Sequence, residues 1–142
     1  MKRFAACLLA VGLAAPALAQ QAATEIEVEG KAVINRWIAA FNKGDTAAML
    51  KDVYAAGDEA ALNQTFDALR SDSFGKLDVY GANFCGSDST HGKALMTYGK
   101  LFTYGGLMDG DEARVFELVK TDAGWRIAGE QGVAYDTKLS CS

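Results

Sequence analysis

Residues 33–45 read Val-Ile-Asn-Arg-Trp-Ile-Ala-Ala-Phe-Asn-Lys-Gly-Asp. Ile34, Trp37, Ile38 and Phe41 recur at i, i+3, i+4 and i+7 with Val33 beside them, which predicts a helix with one strongly apolar face. Glu25, Glu27 and Glu29 upstream suit its positive N-terminal end, so the helix is expected to begin near Glu25. Asn42-Lys43-Gly44 stops it, since Gly44 can take positive φ and Lys43 suits the negative end. Asp45 then caps a second, shorter helix carrying Met49, Leu50, Val53 and Tyr54. The Gly57-Asp58 pair repeats the device and opens a third, with Leu62, Phe66 and Leu69 on one face, ending near Gly75.

After Lys76 the apolar period falls from 3.6 to 2. A first strand is expected from Leu77 to the Asn83-Phe84 region and a second from Lys93 to Tyr104. On the second, Met96, Tyr98, Phe102 and Tyr104 share one face. Asp109-Gly110 signals a tight turn, and Val115, Glu117 and Val119 alternate along the returning strand. Asp122-Ala123-Gly124 turns the chain into a last strand from Trp125 to Tyr135. Gly81, Gly99 and Gly129 inside the strands point to bulges or bends of a curved sheet. Helices first and an antiparallel meander after them make one α+β domain.

The N-terminus carries a separate message. Lys2 and Arg3, an apolar run from Phe4 to Ala15, and Pro16-Ala17-Leu18-Ala19 together predict a cleavable signal peptide over residues 1–19. The domain then spans 20–142, with localisation periplasmic or secreted. The apolar run is shorter than the roughly 20 residues a membrane-spanning helix needs. The whole chain has 14 basic and 18 acidic residues, and losing Lys2 and Arg3 takes the net charge from −4 to −6. An acidic chain without a basic cluster argues against nucleic-acid partners and, once the signal is cleaved, against an anionic membrane surface.

Cys7 lies in the signal and leaves Cys85 and Cys141. An even count in an oxidising compartment favours a Cys85–Cys141 disulfide; the alternative is one buried thiol and one frayed terminal thiol.

Two local signatures sit on this order of elements: Trp37, Ala40-Phe41 and Gly44-Asp45 at the first helix junction, and Asp122-Ala123-Gly124-Trp125-Arg126-Ile127 opening the late strand. Together they resemble the nuclear-transport-factor-2-like superfamily, over essentially the whole chain after the signal. The resemblance implies a cone, in which a curved antiparallel sheet wraps around a long N-terminal helix with two short helices beside it. It also implies a pocket at the open end and frequent homodimers. Isomerases, dehydratases and cyclases occur in that superfamily, alongside small exported bacterial members without assigned activity.

His91 is the single histidine and the first candidate general base, with Asp78 as the other and Tyr98 or Tyr104 as hydrogen-bond donors. Ser87-Asp88-Ser89-Thr90-His91-Gly92 reads as a polar loop, which favours a solvated histidine. Tyr98, Lys100, Phe102 and Tyr104, with Trp37, are the candidate pocket lining; the same aromatics also suit a plain core. Lys100 falls on the aromatic face, and Glu117 is a candidate ion-pair partner for it at the pocket mouth. Trp37 and Trp125 are expected to anchor the core together. Asp109, Asp111 and Glu112 lack the ligand count of a calcium cage, and no zinc, nucleotide or G-x-S-x-G motif occurs, so no metal or cofactor is expected. The reading is an exported, non-enzymatic domain binding a small apolar ligand in a cone pocket. The alternatives are an isomerase or dehydratase in the same pocket, and a homodimerising interaction domain.

Overall fold

The structure is a computed structural model that describes residues 25–73, 76–100 and 112–141. A π-helical turn, Ile26–Gly30, runs without a break into helix α1, Lys31–Lys43. Val33, Ile34, Trp37, Ala40 and Phe41 form its buried face, as the spacing predicts. Gly44 ends it at φ 74°, and its N–H returns to the Phe41 carbonyl. Only a residue without Cβ takes that left-handed turn cheaply. Asp45 caps α2, Thr46–Asp52, by accepting from the Ala48 N–H at 2.9 Å, and Asp58 treats α3, Glu59–Ser73, the same way through Ala61.

Four antiparallel strands follow in the order β1-β2-β3-β4: Leu77–Gly86, His91–Lys100, Glu112–Thr121 and Gly124–Val133. This is the expected α+β architecture. The register slips at Tyr80, next to Gly81, and at Ala128, next to Gly129. Those bulges bend the sheet around α1. Gly99 serves differently: the Tyr80 ring lies over it, where an added Cβ would meet the hydroxyl. The free edge of β4 is covered by the chain after α2, because Ile127 exchanges backbone bonds with Val53 and Ala55.

Trp37 is fully buried, stacked on Phe41 at 5.2 Å and met edge-on by Phe66 and Phe116. Trp125 is buried as well, but its indole N–H goes to Glu25, which also pairs with Lys120. The two tryptophans therefore serve different ends of the core. Ile26 fills the space above Gly92, where an added Cβ would lie 1.7 Å from its Cδ1.

Cys85 and Cys141 are disulfide-bonded, with Cα atoms 5.9 Å apart. Phe84 packs toward the core, so Cys85 points to the opposite face by strand alternation. The segment 134–141 must then run from the end of β4 across the outer face to β1. Bridged residues 56 positions apart restrict the unfolded chain considerably. Cys141→Ser is expected to lower stability by about 2–4 kcal/mol, read by urea unfolding under non-reducing conditions, with no change in the helical circular dichroism. Among the described residues no helix is long and apolar enough to cross a membrane.

Candidate functional site

Strand parity decides which side chains enter the cone. On β3 the inward set is Arg114, Phe116 and Leu118, all buried; Val115, Glu117 and Val119 face out. Both parities of this strand carry apolar residues, so alternation alone favours neither. On β4 the bulge at Ala128 reverses the parity. Trp125 and Ile127 point inward before it, and Glu130, opposite Phe116, points inward after it.

These two strands place a charged pair inside the core. Arg114 Nη1 stands 3.6 Å from Glu130 Oε1, with the side chains 10% and 9% exposed. Neither oxygen of Glu130, nor Nε of Arg114, has a hydrogen-bond partner. Around the pair, Trp37 donates its indole N–H to the Tyr54 hydroxyl at 2.9 Å, and Tyr98 donates to Glu112 Oε2 at 3.1 Å. Burial raises the Glu130 carboxyl above its ordinary range; Arg114, Tyr54 and Trp37 pull it back without cancelling that rise. Desolvation and the neighbouring Glu130 charge also push the Tyr54 hydroxyl up, and desolvation takes Tyr98 to about 12.

Tyr98 thus carries a stability term with a definite sign. Its folded pKa lies above the ordinary 10.0, so the contribution is complete below pH 10.0 and is lost as pH rises toward about 12. Melting temperature against pH should fall across that window, and Tyr98→Phe should make the fall shallower.

Open space lies at the neighbouring end of the sheet. Gly132 is the register partner of Arg114, and an added Cβ there would meet nothing within 4 Å. An open hollow of about 420 Å³, lined by Glu112, Ala113, Gly132, Val133, Ala134 and Tyr135, lies at that end of the sheet. Glu112, the acceptor of Tyr98, belongs to both the hollow and the polar cluster.

The residues singled out by sequence are distributed unevenly about this cluster. Trp37 and Tyr98 belong to it. Lys100 is placed by its backbone opposite Leu77, and Phe102 and Tyr104 lie outside the described residues. The expected Lys100–Glu117 pair is not formed. Glu117 is exposed on the outer face opposite Lys93, seven residues and about 24 Å along the strand from Lys100.

His91 and Tyr98 are likewise separated by about 24 Å, and they face opposite sides of the sheet. His91 closes an exposed turn in which Asp88 Oδ1 accepts from the Thr90 N–H, the Thr90 hydroxyl and the His91 N–H at 2.7–2.8 Å. Those Thr90 bonds foremost, with His91 behind them, hold the Asp88 carboxyl down at about 2, so the loop is a self-satisfied turn. Asp78 is exposed on the outer parity of β1. No group of three metal-ligating side chains occurs among the described residues. Arg114, Glu130 and Tyr54 were not among the sequence candidates. A charged residue in phase with Phe116 and Leu118 was the one signal for Arg114, while the bulge hid Glu130.

A sheet bent around one long helix is an arrangement found in solved structures. The chain is similar to a protein of unknown function with a cystatin-like fold from Nostoc punctiforme (TM-score 0.58, 15% identity, covering 75% of this chain and 88% of that one). It is similar to a nuclear-transport-factor-2-like protein with a cystatin-like fold from Novosphingobium aromaticivorans (0.56, 17%, 90% and 94%). A further match is a nuclear-transport-factor-2-like protein of unknown function from Shewanella oneidensis (0.52, 13%, 75% and 97%). The fold is nuclear-transport-factor-2-like. At these identities the likeness carries the fold and no activity. No family model matches the sequence, and no curated protein matches it.

Within a nuclear-transport-factor-2-like cone, Arg114 and Glu130 lie on the inner wall beside α1. The hollow at Gly132 lies on the rim. Trp37, Tyr54, Tyr98 and Phe116 form a buried aromatic wall around the pair, three of whose side-chain polar atoms lack hydrogen bonds.

Proposed function

We propose that this is an exported domain whose cone binds a small, mostly apolar molecule, with Arg114 and Glu130 as the polar base of the site. One observation carries the reading: a nearly dry ion pair with three side-chain atoms lacking hydrogen bonds, set among buried aromatics. Leaving such groups unpaired costs stability, and proteins keep few of them without a use. A ligand that fills the valences offsets the cost and gains the aromatic contact. The Cys85–Cys141 disulfide suits the oxidising compartment this reading requires.

Saturable binding of the neutral dye Nile red, with a blue-shifted emission and one site per chain, is the expected outcome. Absence of saturable binding would overturn the reading. Location is tested separately. Gly132→Leu puts a side chain into the space beside Arg114 and is expected to weaken dye binding about tenfold while leaving the melting temperature within a few degrees.

A second reading rests on the same residues. A carboxyl raised by burial beside the Tyr54 hydroxyl has the form of an acid–base pair, so proton-transfer chemistry of the isomerase or dehydratase type would run through Glu130. His91 and Asp78 would take no part in it.

A further inference from the structure

Among the described residues, Leu95 and Ala113 are buried and apolar yet stand apart from the core cluster. Leu95 is 4% exposed, but its register partners Asn83 and Val115 lie on the outer face, while its neighbours Ala94 and Met96 belong to the core. A cover on the outer face must therefore lie over it, and the C-terminal segment is in place to be that cover. It leaves β4 at Val133, level with Ala113 and Thr97, and is bonded to Cys85, level with Lys93. The line between those points is about 20 Å long and passes over Val115 and Leu95. A turn closed by the Thr137 N–H on the Ala134 carbonyl starts the crossing. From there exposure alternates: Thr137, Leu139 and Cys141 are half-buried, and Asp136, Lys138 and Ser140 are exposed. That is an extended strap with one edge toward the sheet. Leu139 precedes Cys141 by about 7 Å, which brings it level with Leu95, one strand and two residues from Cys85.

We propose that residues 134–141 are a redox-latched strap: the Cys85–Cys141 bond holds Leu139 on an outer apolar strip of Leu95 and Val115, and reduction frees the strap and opens the strip while the domain stays folded. Fixing the backbone of this segment costs more than one half-buried leucine returns, so the side chains alone do not keep the strap down. The bond does so by holding the chain end at high local concentration. Among the described residues the core cluster ends at Ile127, so the core persists when the strap leaves. Opening takes a dithiol reductant. One of its thiolates attacks a sulfur of the bond and forms a mixed disulfide; its second thiolate then closes the reductant's own disulfide and releases the protein. Two electrons and two protons pass to the protein, leaving Cys85 and Cys141 as thiols. Both cysteines are half-buried, so the bond is within reach of attack from solvent.

Melting temperatures of wild type, Leu139→Ala, Cys141→Ser and the double variant test the latch. Leu139→Ala is expected to lower that of the disulfide-intact protein by a few degrees and to change nothing in the Cys141→Ser background. An equal fall in both backgrounds would overturn the proposal, since the strap would then stay down without its bond. So would no fall in either, since Leu139 would then not rest on the strip. Trypsin gives a second reading. Cleavage after Lys138, followed by mass spectrometry, is expected to run about tenfold or more faster in protein reduced with dithiothreitol, ahead of cuts elsewhere and with the helical circular dichroism retained. Equal rates in the two redox states would overturn the proposal. Acceleration of all sites together would do the same, because the bond would then be a staple of the whole fold.

Discussion

Arg114→Met is expected to lower stability by about 3–5 kcal/mol, and adding Glu130→Leu to return most or all of that loss. The single change leaves the Glu130 carboxylate nearly dry with no cation, only Tyr54 and Trp37 near it. The double change removes both charges and fills the volume with apolar atoms in contact with Phe116 and the α1 face. Replacing a buried pair in that way is often neutral or stabilising, because the attraction within the pair does not fully repay the desolvation of its two ions. Here the offset is poor to begin with: the pair is 3.6 Å apart and three of its polar atoms lack hydrogen bonds. Urea unfolding of wild type, both single variants and the double variant gives the coupling directly. A double variant that is stable yet no longer takes up Nile red would separate the site's function from its structural cost. A double variant no more stable than the worse single one would show the pair to be a structural necessity.

Trp37→Ala is the other large effect, with an expected loss of about 3–5 kcal/mol. Trp37 has no exposed surface, stacks on Phe41, and is met edge-on by Phe66 and Phe116, so truncation opens a cavity among rings held by three different elements. Arg70 lies 5.3 Å from the Phe41 centroid and 5.8 Å from that of Phe66, adding a cation–π contact to the ring cluster. Trp37→Phe should cost less, about 1–3 kcal/mol. It keeps an aromatic ring but removes the N–H bonded to Tyr54, leaving that buried hydroxyl to find another partner. Thermal denaturation followed at Trp125 reads both variants.

How much of this was legible beforehand depended on how local the deciding signal was. The α1 face from Val33 to Phe41, the Gly44 stop and the Asp45 cap rest on neighbours three or four residues apart, and all appear where the spacing put them. The strands and the turn at Gly124, with φ 93°, followed from alternation and turn chemistry. The Cys85–Cys141 bond was favoured by count and compartment, since no spacing rule reveals it.

Parity inside the sheet was harder. Val115 and Val119 on one face of β3 compete with Phe116 and Leu118 on the other, and only packing against α1 makes the second set the core. The bulge at Ala128 then moved Glu130 inward, a one-residue slip that reverses every later side chain. That is why Glu117 drew attention and Glu130 did not. His91 drew attention by chemistry alone, and the Asp88–Thr90 turn explains its place without any reaction.

The most direct test of a small-molecule site in the cone is native mass spectrometry of the disulfide-bonded protein isolated without refolding, measured as prepared and after incubation with excess Nile red. A one-to-one complex in either sample, abolished in the Arg114→Met/Glu130→Leu variant, is the predicted result. The bare chain in both samples would contradict it.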